Sequence, residues 1–368
     1  MLANILQLAI RQRIPVLLVV VGLALVGVWS YQHLAIDAVP DITNVQVQIN
    51  TEAPGYTPQE AEQRITYPLE TAMAGLAALD YTRSVSRYGL SQVTVAFEDG
   101  TDLYFARQQV AERLQTIASS LPPGIEPKMG PPTTGLGEIT MYTVDARDGA
   151  TNPDGSPVTA TDLRLVQDWI VRPQLLRVPG VADINSIGGY AKQFLIQPDP
   201  AKLLAYGVSL AELGDTVMAN NANIGAGYIE RSGQQMLLRV PGQIDGGDAP
   251  LQMLSGLVIK TVDGAPVRIG DVADVAIGSE LRTGAATQDG HEVVLGTVMM
   301  RVGENSRAVA RAVADKIGEI QPSLPEGIEI VIAYDRTMLV DKTLATVQKN
   351  LLEGALLVIV VLFLMLGN

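Results

Sequence analysis

Few residues in this chain could do chemistry, and their types narrow what that chemistry is. Among 368 residues there is no Cys and only two His. Thiolate nucleophiles, thiolate metal sites and disulfides are therefore excluded. His33 lies at the edge of an apolar run and His291 in an Asp289-Gly290-His291 turn. Neither builds a Ser/His/Asp arrangement, so no enzymatic activity is expected. Gly135-Leu136-Gly137 lacks the Lys-Ser/Thr of a phosphate loop, which argues against ATP-driven work by this chain. Met299 and Met300 are adjacent, so on a strand their sulfurs face opposite sides and cannot share one soft ion; a core role is expected. What remains for a cation is carboxylate, which suits harder or borderline metals such as zinc. Glu138 is the candidate, because it follows Gly135-Leu136-Gly137 at a strand start, where a flexible backbone could present it into a cleft. The alternative is a solvated surface carboxylate, the usual state of Glu.

The elements that would position these residues can be read from hydrophobic pattern. Val45, Val47 and Ile49 alternate with polar residues as a half-buried strand does. Thr57-Pro58-Gln59-Glu60 is a capping box with proline at the first helical position. The helix it opens carries Ala61, Ile65, Leu69, Ala72 and Leu76 on one face, and Pro68 is expected to kink it. Strands follow around Tyr81–Arg87 and Val93–Phe97, then a helix with Leu103, Ala106, Val110, Leu114 and Ile117 inward, then a strand at Ile125–Met129. This order is β-α-β-β-α-β. A second block repeats it. A strand at Ile139–Val144 leads to a helix capped by Asp162 with Leu163, Val166, Trp169 and Ile170 inward, then a strand at Val181–Ile187. The block resumes at Glu292–Arg301, Asn305–Ile320 and Ile328–Ala333. Matching turns, Leu121-Pro122-Pro123-Gly124 and Leu324-Pro325-Glu326-Gly327, close the two blocks. Between them, from about 188 to 279, lies an insertion rich in Gly and Pro. Its Arg231-Ser232-Gly233-Gln234 turn implies a hairpin, either a contact arm or an ordinary surface hairpin.

The ends of the chain differ from the middle. From Ile14 to Ile36 no residue carries a formal charge, enough at about 1.5 Å per residue to cross roughly 30 Å of hydrocarbon. Arg11 and Arg13 precede the run and Asp37 and Asp41 follow, which puts the N-terminus in the cytoplasm. A cleaved leader is the alternative, but the run exceeds a usual leader's apolar core and no convincing small-x-small site precedes Asp37. After Glu353 a second apolar run reaches Asn368; with a helix start near Leu339, the chain is read as ending within this span. The net charge of −13 argues against a nucleic-acid partner, which would want a basic face.

Motifs spread along the whole chain carry a resemblance. They are Ile36-Asp37-Ala38-Val39-Pro40-Asp41-Ile42, Ala53-Pro54-Gly55, Tyr67-Pro68-Leu69-Glu70, Ser86-Arg87-Tyr88-Gly89 and Phe97-Glu98-Asp99-Gly100-Thr101-Asp102. Further on come Thr134-Gly135-Leu136-Gly137-Glu138, Gln167-Asp168-Trp169, Gly303-Glu304-Asn305-Ser306, Tyr334-Asp335-Arg336-Thr337 and Leu351-Leu352-Glu353-Gly354. With the element order, they resemble the N-terminal part of RND (resistance-nodulation-division) transporters, and most of all the heavy-metal efflux branch of cobalt–zinc–cadmium type.

The resemblance implies an α+β membrane protein. Its parts would be a first membrane helix (1–36), a ferredoxin-like porter subdomain (37–132), a second one split into 133–187 and 280–336, a docking insertion (188–279) and the start of a second membrane helix (337–368). It implies a proton-driven homotrimer in a Gram-negative inner membrane, with most of the chain periplasmic. A periplasmic adaptor and an outer-membrane channel would complete the complex, and Zn, Co or Cd would be the cargo. Glu138 matches a metal-ligating position of zinc-type members, and Arg83 a basic residue lining the substrate cleft of the copper/silver type. Family members are much longer, and their proton-relay residues and most ligands fall outside these 368 residues, so this polypeptide alone is expected to pump nothing. An exporter of organic compounds and a membrane-anchored periplasmic sensor are the competing readings.

Overall fold

A computed structural model describes residues 11–33, 43–240, 242–244, 249–262, 264–280 and 284–366. The expected end of the first span at Ile36, the Asp37–Ile42 part of the first motif, and Gly367-Asn368 lie outside them.

Helix α1 (Arg13–His33) is apolar, and its described side chains are exposed from Ile14 to Ser30. The first unit then begins with β1 (Gln46–Glu52). Helix α2 is built from Pro58–Ala61, a π-helical turn Glu62–Thr66, and Tyr67–Met73. After it come β2 (Leu79–Arg87), β3 (Leu90–Phe97), α3 (Leu103–Ile117) and β4 (Pro127–Met129). The sheet order is β2-β3-β1-β4, with every pair antiparallel. Alternation along β1 buries Val47, Ile49 and Thr51 against the helices, where they join Ile65, Leu69, Val93, Val95, Phe97 and Val110.

The second unit runs β5 (Glu138–Ala146), α4 (Ala160–Val166, a π-helical turn Gln167–Val171, and Arg172–Leu175) and β6 (Val181–Ile187). It resumes with β14 (His291–Met300), α9 (Ser306–Ile320) and β15 (Ile328–Asp335). The path β6-β14-β5-β15 is again antiparallel throughout, the same spatial order as in the first unit. Its core draws Ile139, Tyr142, Val144 and Ile184 from one side of the insertion and Val294, Val298, Val313 and Ile320 from the other.

Where the first unit joins its second and third strands by a Tyr88-Gly89 turn, the second unit carries the insertion. It leaves through β7 (Lys192–Pro198) and returns through β12 (Ala273–Ser279), which pair antiparallel over their full lengths. This two-stranded stalk brings the chain back where it left, so β6 and β14 remain neighbours. Beyond the stalk lie helices α5 (Pro200–Tyr206), α6 (Leu210–Asn220), α7 (Pro250–Gly256) and α8 (Ile269–Val272). The ribbon β8 (Ile224–Arg231)–β9 (Gln234–Val240) and the pair β10 (Val258–Val262)–β11 (Ala265–Arg268) complete it. The insertion has its own small core around Leu203, Leu213, Val267, Ile269 and Val272. Both strands of the β8–β9 ribbon are exposed along their length. A short strand β13 (Ala286–Gln288) turns through Asp289-Gly290 into β14.

Strand β15 passes straight into α10 (Arg336–Leu366), with no intervening loop. The helix therefore starts before Leu339. Among the described residues, Arg336–Met365 is long and apolar enough to cross a membrane, and Arg13–Gly27 is a shorter apolar stretch.

At Pro68 the helix carries a π turn. Proline has no N–H, and its ring would press on the carbonyl four residues back. In both units the helix widens by a π turn just ahead of the proline. Tyr67 N–H bonds to Glu62 O, and Arg172 N–H to Gln167 O, each one residue before Pro68 and Pro173. Gln167, four residues after the buried Leu163, and Val171 are buried, and Ile170 packs against the core as expected, but Trp169 is turned out at 77% exposure rather than inward. The cap of α4 is Thr159; Asp162 sits three residues on and closes the box, accepting from Thr159 N–H at 2.9 Å. Polar side chains tie each π turn to its sheet. Thr66 Oγ1 lies 2.8 Å from Ser86 Oγ and 2.7 Å from Ser91 Oγ. Gln167 Nε2 donates to Ser186 Oγ at 2.9 Å, and Gln167 Oε1 accepts from the buried Tyr142 hydroxyl at 3.1 Å.

A Cβ at Gly296 would overlap the Tyr142 ring that lies across β14. Gly296→Ala is expected to destabilise the second unit by about 2 kcal/mol, in the range for overpacked cores, and to lower its thermal midpoint. The His291 Nε2–Asp145 Oδ2 pair (2.8 Å) fastens the β13–β14 turn to β5. The hydrogen bond to Asp145, then its charge, with smaller help from Asp289 and Asp148, raises the His291 pKa above its ordinary value. A raised folded-state pKa means the pair stabilises fully below the unfolded histidine's pKa, and that contribution is lost as pH rises through the folded one. Hydrogen exchange of β13 amides should therefore speed up from pH 6 to pH 8 beyond the intrinsic rate change. Asp145→Asn should remove that extra dependence.

Candidate metal site and the cleft between the units

In each sheet, alternate residues point away from the helices and form an open face. On the first sheet the register places Arg83 opposite Thr94, and Thr94 opposite Gln48; the next row holds Val85, Gln92, Asn50 and Lys128. Arg83 is exposed and makes no ion pair with any described residue. On the second sheet Met299 of β14 sits between Glu138 of β5 and Asp183 of β6. Asn185, also on β6, donates to Met299 Sδ at 3.2 Å. Asp183 is held by Arg172 of α4 (2.8 Å), whose Nε also donates to the Ile184 carbonyl at 3.0 Å.

Between the two units is a cleft of about 600 Å³. Asn50, Glu52, Gln92, Glu126 and Lys128 line it from the first unit, and Asp183 and Asn185 from the second. Carboxylate and amide oxygens of this kind are hard donors for divalent cations. They do not converge, however: among the described residues no three of His, Cys, Asp and Glu are grouped to hold a metal ion.

Glu138 is the exposed first residue of β5, and its carboxylate has no hydrogen bond or ion pair among the described residues. It does not line the inter-unit cleft, nor does Arg83, and the structure does not bring the two together. The backbone before Glu138 is tightly built rather than loose. A Cβ at Gly137 would overlap the Thr133 hydroxyl and press on the carbonyls of Thr134 and Met300. Gly137 N–H donates to Thr134 O (2.9 Å), and Met300 N–H to Gly137 O (2.7 Å). The glycine is thus required by close approach, and Glu138 leaves a fixed turn. Only Met300 takes the expected place against the core; a bulge between Met299 and Met300 and the strand alternation leave Met299 half-buried on the open face. Asp183 and Asn185 are not singled out in the sequence, and Met299 is weighed there only as a soft-ion ligand and given a core role. The alternation of Asp183 and Asn185 with Ile184 in β6 was the available signal, but it does not say what lies opposite.

The comparisons with known proteins bear on this arrangement. The family model described as AcrB/AcrD/AcrF matches residues 5–368. The cobalt-zinc-cadmium resistance protein CzcA of Cupriavidus metallidurans is 58% identical over 368 residues, which is 100% of this chain and 34% of that protein. The nickel and cobalt resistance protein CnrA of the same organism is 46% identical, over 100% of this chain and 36% of its own length. The crystal structure of a heavy metal efflux pump superposes with a TM-score of 0.87 at 32% identity, covering 99% of this chain and 35% of that one. The chain thus spans about a third of the length of the relatives it matches. With a family match running almost from end to end on this paired-unit fold, the chain belongs to the AcrB/AcrD/AcrF (RND) family.

Proposed function

We propose that this chain is the N-terminal portion of a proton-driven RND exporter of divalent heavy-metal cations of the zinc, cobalt and cadmium class. The observation that carries the reading is the 58% identity, over every residue of this chain, to a cobalt-zinc-cadmium resistance protein. In this reading α1 and α10 are membrane helices in a Gram-negative inner membrane, with the N-terminus cytoplasmic. The two sheet-and-helix units (37–132, and 133–187 with 280–336) are porter subdomains in the periplasm. The 188–279 insertion is the docking part of a homotrimer that engages a periplasmic adaptor and an outer-membrane channel. The exposed β8–β9 ribbon supports a contact role there. The role is transport and not catalysis, and the metal is cargo.

Glu138 serves as one ligand along the cation's path. An exposed, unpaired carboxylate on a rigid turn suits a transient grip, because no internal ion pair must first be broken. The remaining ligands come from residues outside this chain. Arg83 supplies positive charge on the open face of the first sheet, where it could repel a cation or pair with acidic groups of another part of the pump. The organic-compound exporter and the anchored sensor have no observation in their favour. The test is zinc, cobalt and cadmium binding by the full-length pump, wild type against Glu138→Ala. Affinity should fall at least by the roughly tenfold typical of losing an outer-shell partner. Unchanged binding would remove Glu138 from the site.

A further inference from the structure

Two motifs that lie 200 residues apart meet at the foot of the second unit. Arg336 is the first residue of α10, and its side chain is nearly buried, with the residue 6% exposed. Its Nη1 donates to the carbonyl oxygen of Leu136, in the turn that delivers Glu138. The approach follows from register. Strand β15 pairs with β5 and ends with Asp335 opposite Thr140, so the next residue of the chain emerges beside the start of β5. Asp335 Oδ1 then accepts from Thr337 N–H at 2.7 Å, which fixes the first turn of the helix. Thr337 and Val340 are buried behind it. One turn further, Asp341 meets Arg307 at 2.7 Å and Arg311 at 3.5 Å, both on α9. The head of the apolar helix is thus part of the second unit's packing.

We propose that Arg336 is a positioning residue for Glu138, tying the head of α10 to the turn that aims the candidate ligand. The turn has two tethers on consecutive carbonyls. Met300 N–H holds that of Gly137, from the sheet, and Arg336 holds that of Leu136, from the helix. A guanidinium offers several donors in a rigid fork, so it fixes direction as well as distance. Displacement of α10 relative to the sheet would pull on one tether and not the other, and so would re-aim the side chain two residues on. Outer partners of this kind orient a ligand without touching the metal. The inference deepens the reading of Glu138 as a metal ligand and rests on it.

The experiment uses the full-length pump, with Arg336→Gln, Arg336→Lys, Glu138→Ala and the Gln/Ala double variant. Hydrogen exchange across residues 133–139 is measured alongside cobalt titration followed by the ion's visible absorption. Arg336→Gln should speed exchange of the Gly137 amide and weaken cobalt binding roughly tenfold. Arg336→Lys, which keeps a donor but not the fork, should fall between; it also serves if the Gln variant does not assemble. On the Glu138→Ala background, Arg336→Gln should add no further loss, because the two act on one ligand. Unchanged exchange at 133–139 in the Arg336 variants would overturn the positioning role, whatever Glu138 does. Independent, multiplying losses of affinity would overturn it too. If Glu138→Ala alone leaves cobalt binding unchanged, the ligand reading itself fails, and this inference with it.

Discussion

From Leu295 to Met299, β14 is paired with β5 on one edge and β6 on the other. It is the strand on which the second unit depends. Without it, β5 and β15 would be a separate ribbon, β6 would have no neighbour, and the core built from both sides of the insertion would be open. A strand in this position must keep its ladder complete, since an unpaired buried N–H or C=O costs about as much as a lost hydrogen bond. The rest follows from serving that need. The β7–β12 stalk returns the chain to its exit point, Gly296 leaves room for the Tyr142 ring, and the bulge at Met299 lets the strand follow the turn before Glu138.

The two units share more than their strand order. Each opens its first helix with a Thr-led capping box, widens it by a π turn, and resumes it at a proline. The first residue of each π turn bonds to a serine on the second strand: Glu62 accepts from Ser86, and Gln167 donates to Ser186. A carboxylate at the exposed position and an amide at the fully buried one fit the expected ordering. An uncompensated charge inside would be far more expensive than a neutral amide satisfied by Tyr142 and Ser186. The internal repeat is therefore better anchored in these helices than in the Leu-Pro turns that close the units.

Much of the fold was legible because it rests on period. Alternation in β1 and the 3.6-residue stripe of α3 are local signals, and the Thr57–Glu60 box is a local chemical one. Residue type misled where period did not: Trp169 is expected inward because it is large and apolar, yet four-residue spacing from Leu163 gives the inner face to the polar Gln167. The candidate site was less legible. Glu138 could be picked out by its glycine context. That the glycine makes the turn tight, and that Met299 lies between Glu138 and Asp183 in register, depends on strand pairing across more than a hundred residues. Long-range register is not written in any one segment.

The stalk also bears on how the chain reaches this structure. In the first unit β2 meets β3 across two residues, whereas in the second β6 meets β14 across about a hundred. Loop-closure entropy rises by about 0.6 kcal/mol per doubling of length, so the longer connection carries a penalty greater by about 3.5 kcal/mol. Pairing β7 with β12 first, around a core the insertion already owns, shortens the effective connection to the few residues on either side. The order of assembly that loses least entropy at each closure therefore runs from the periphery inward, with the inserted part condensing before the sheet it interrupts.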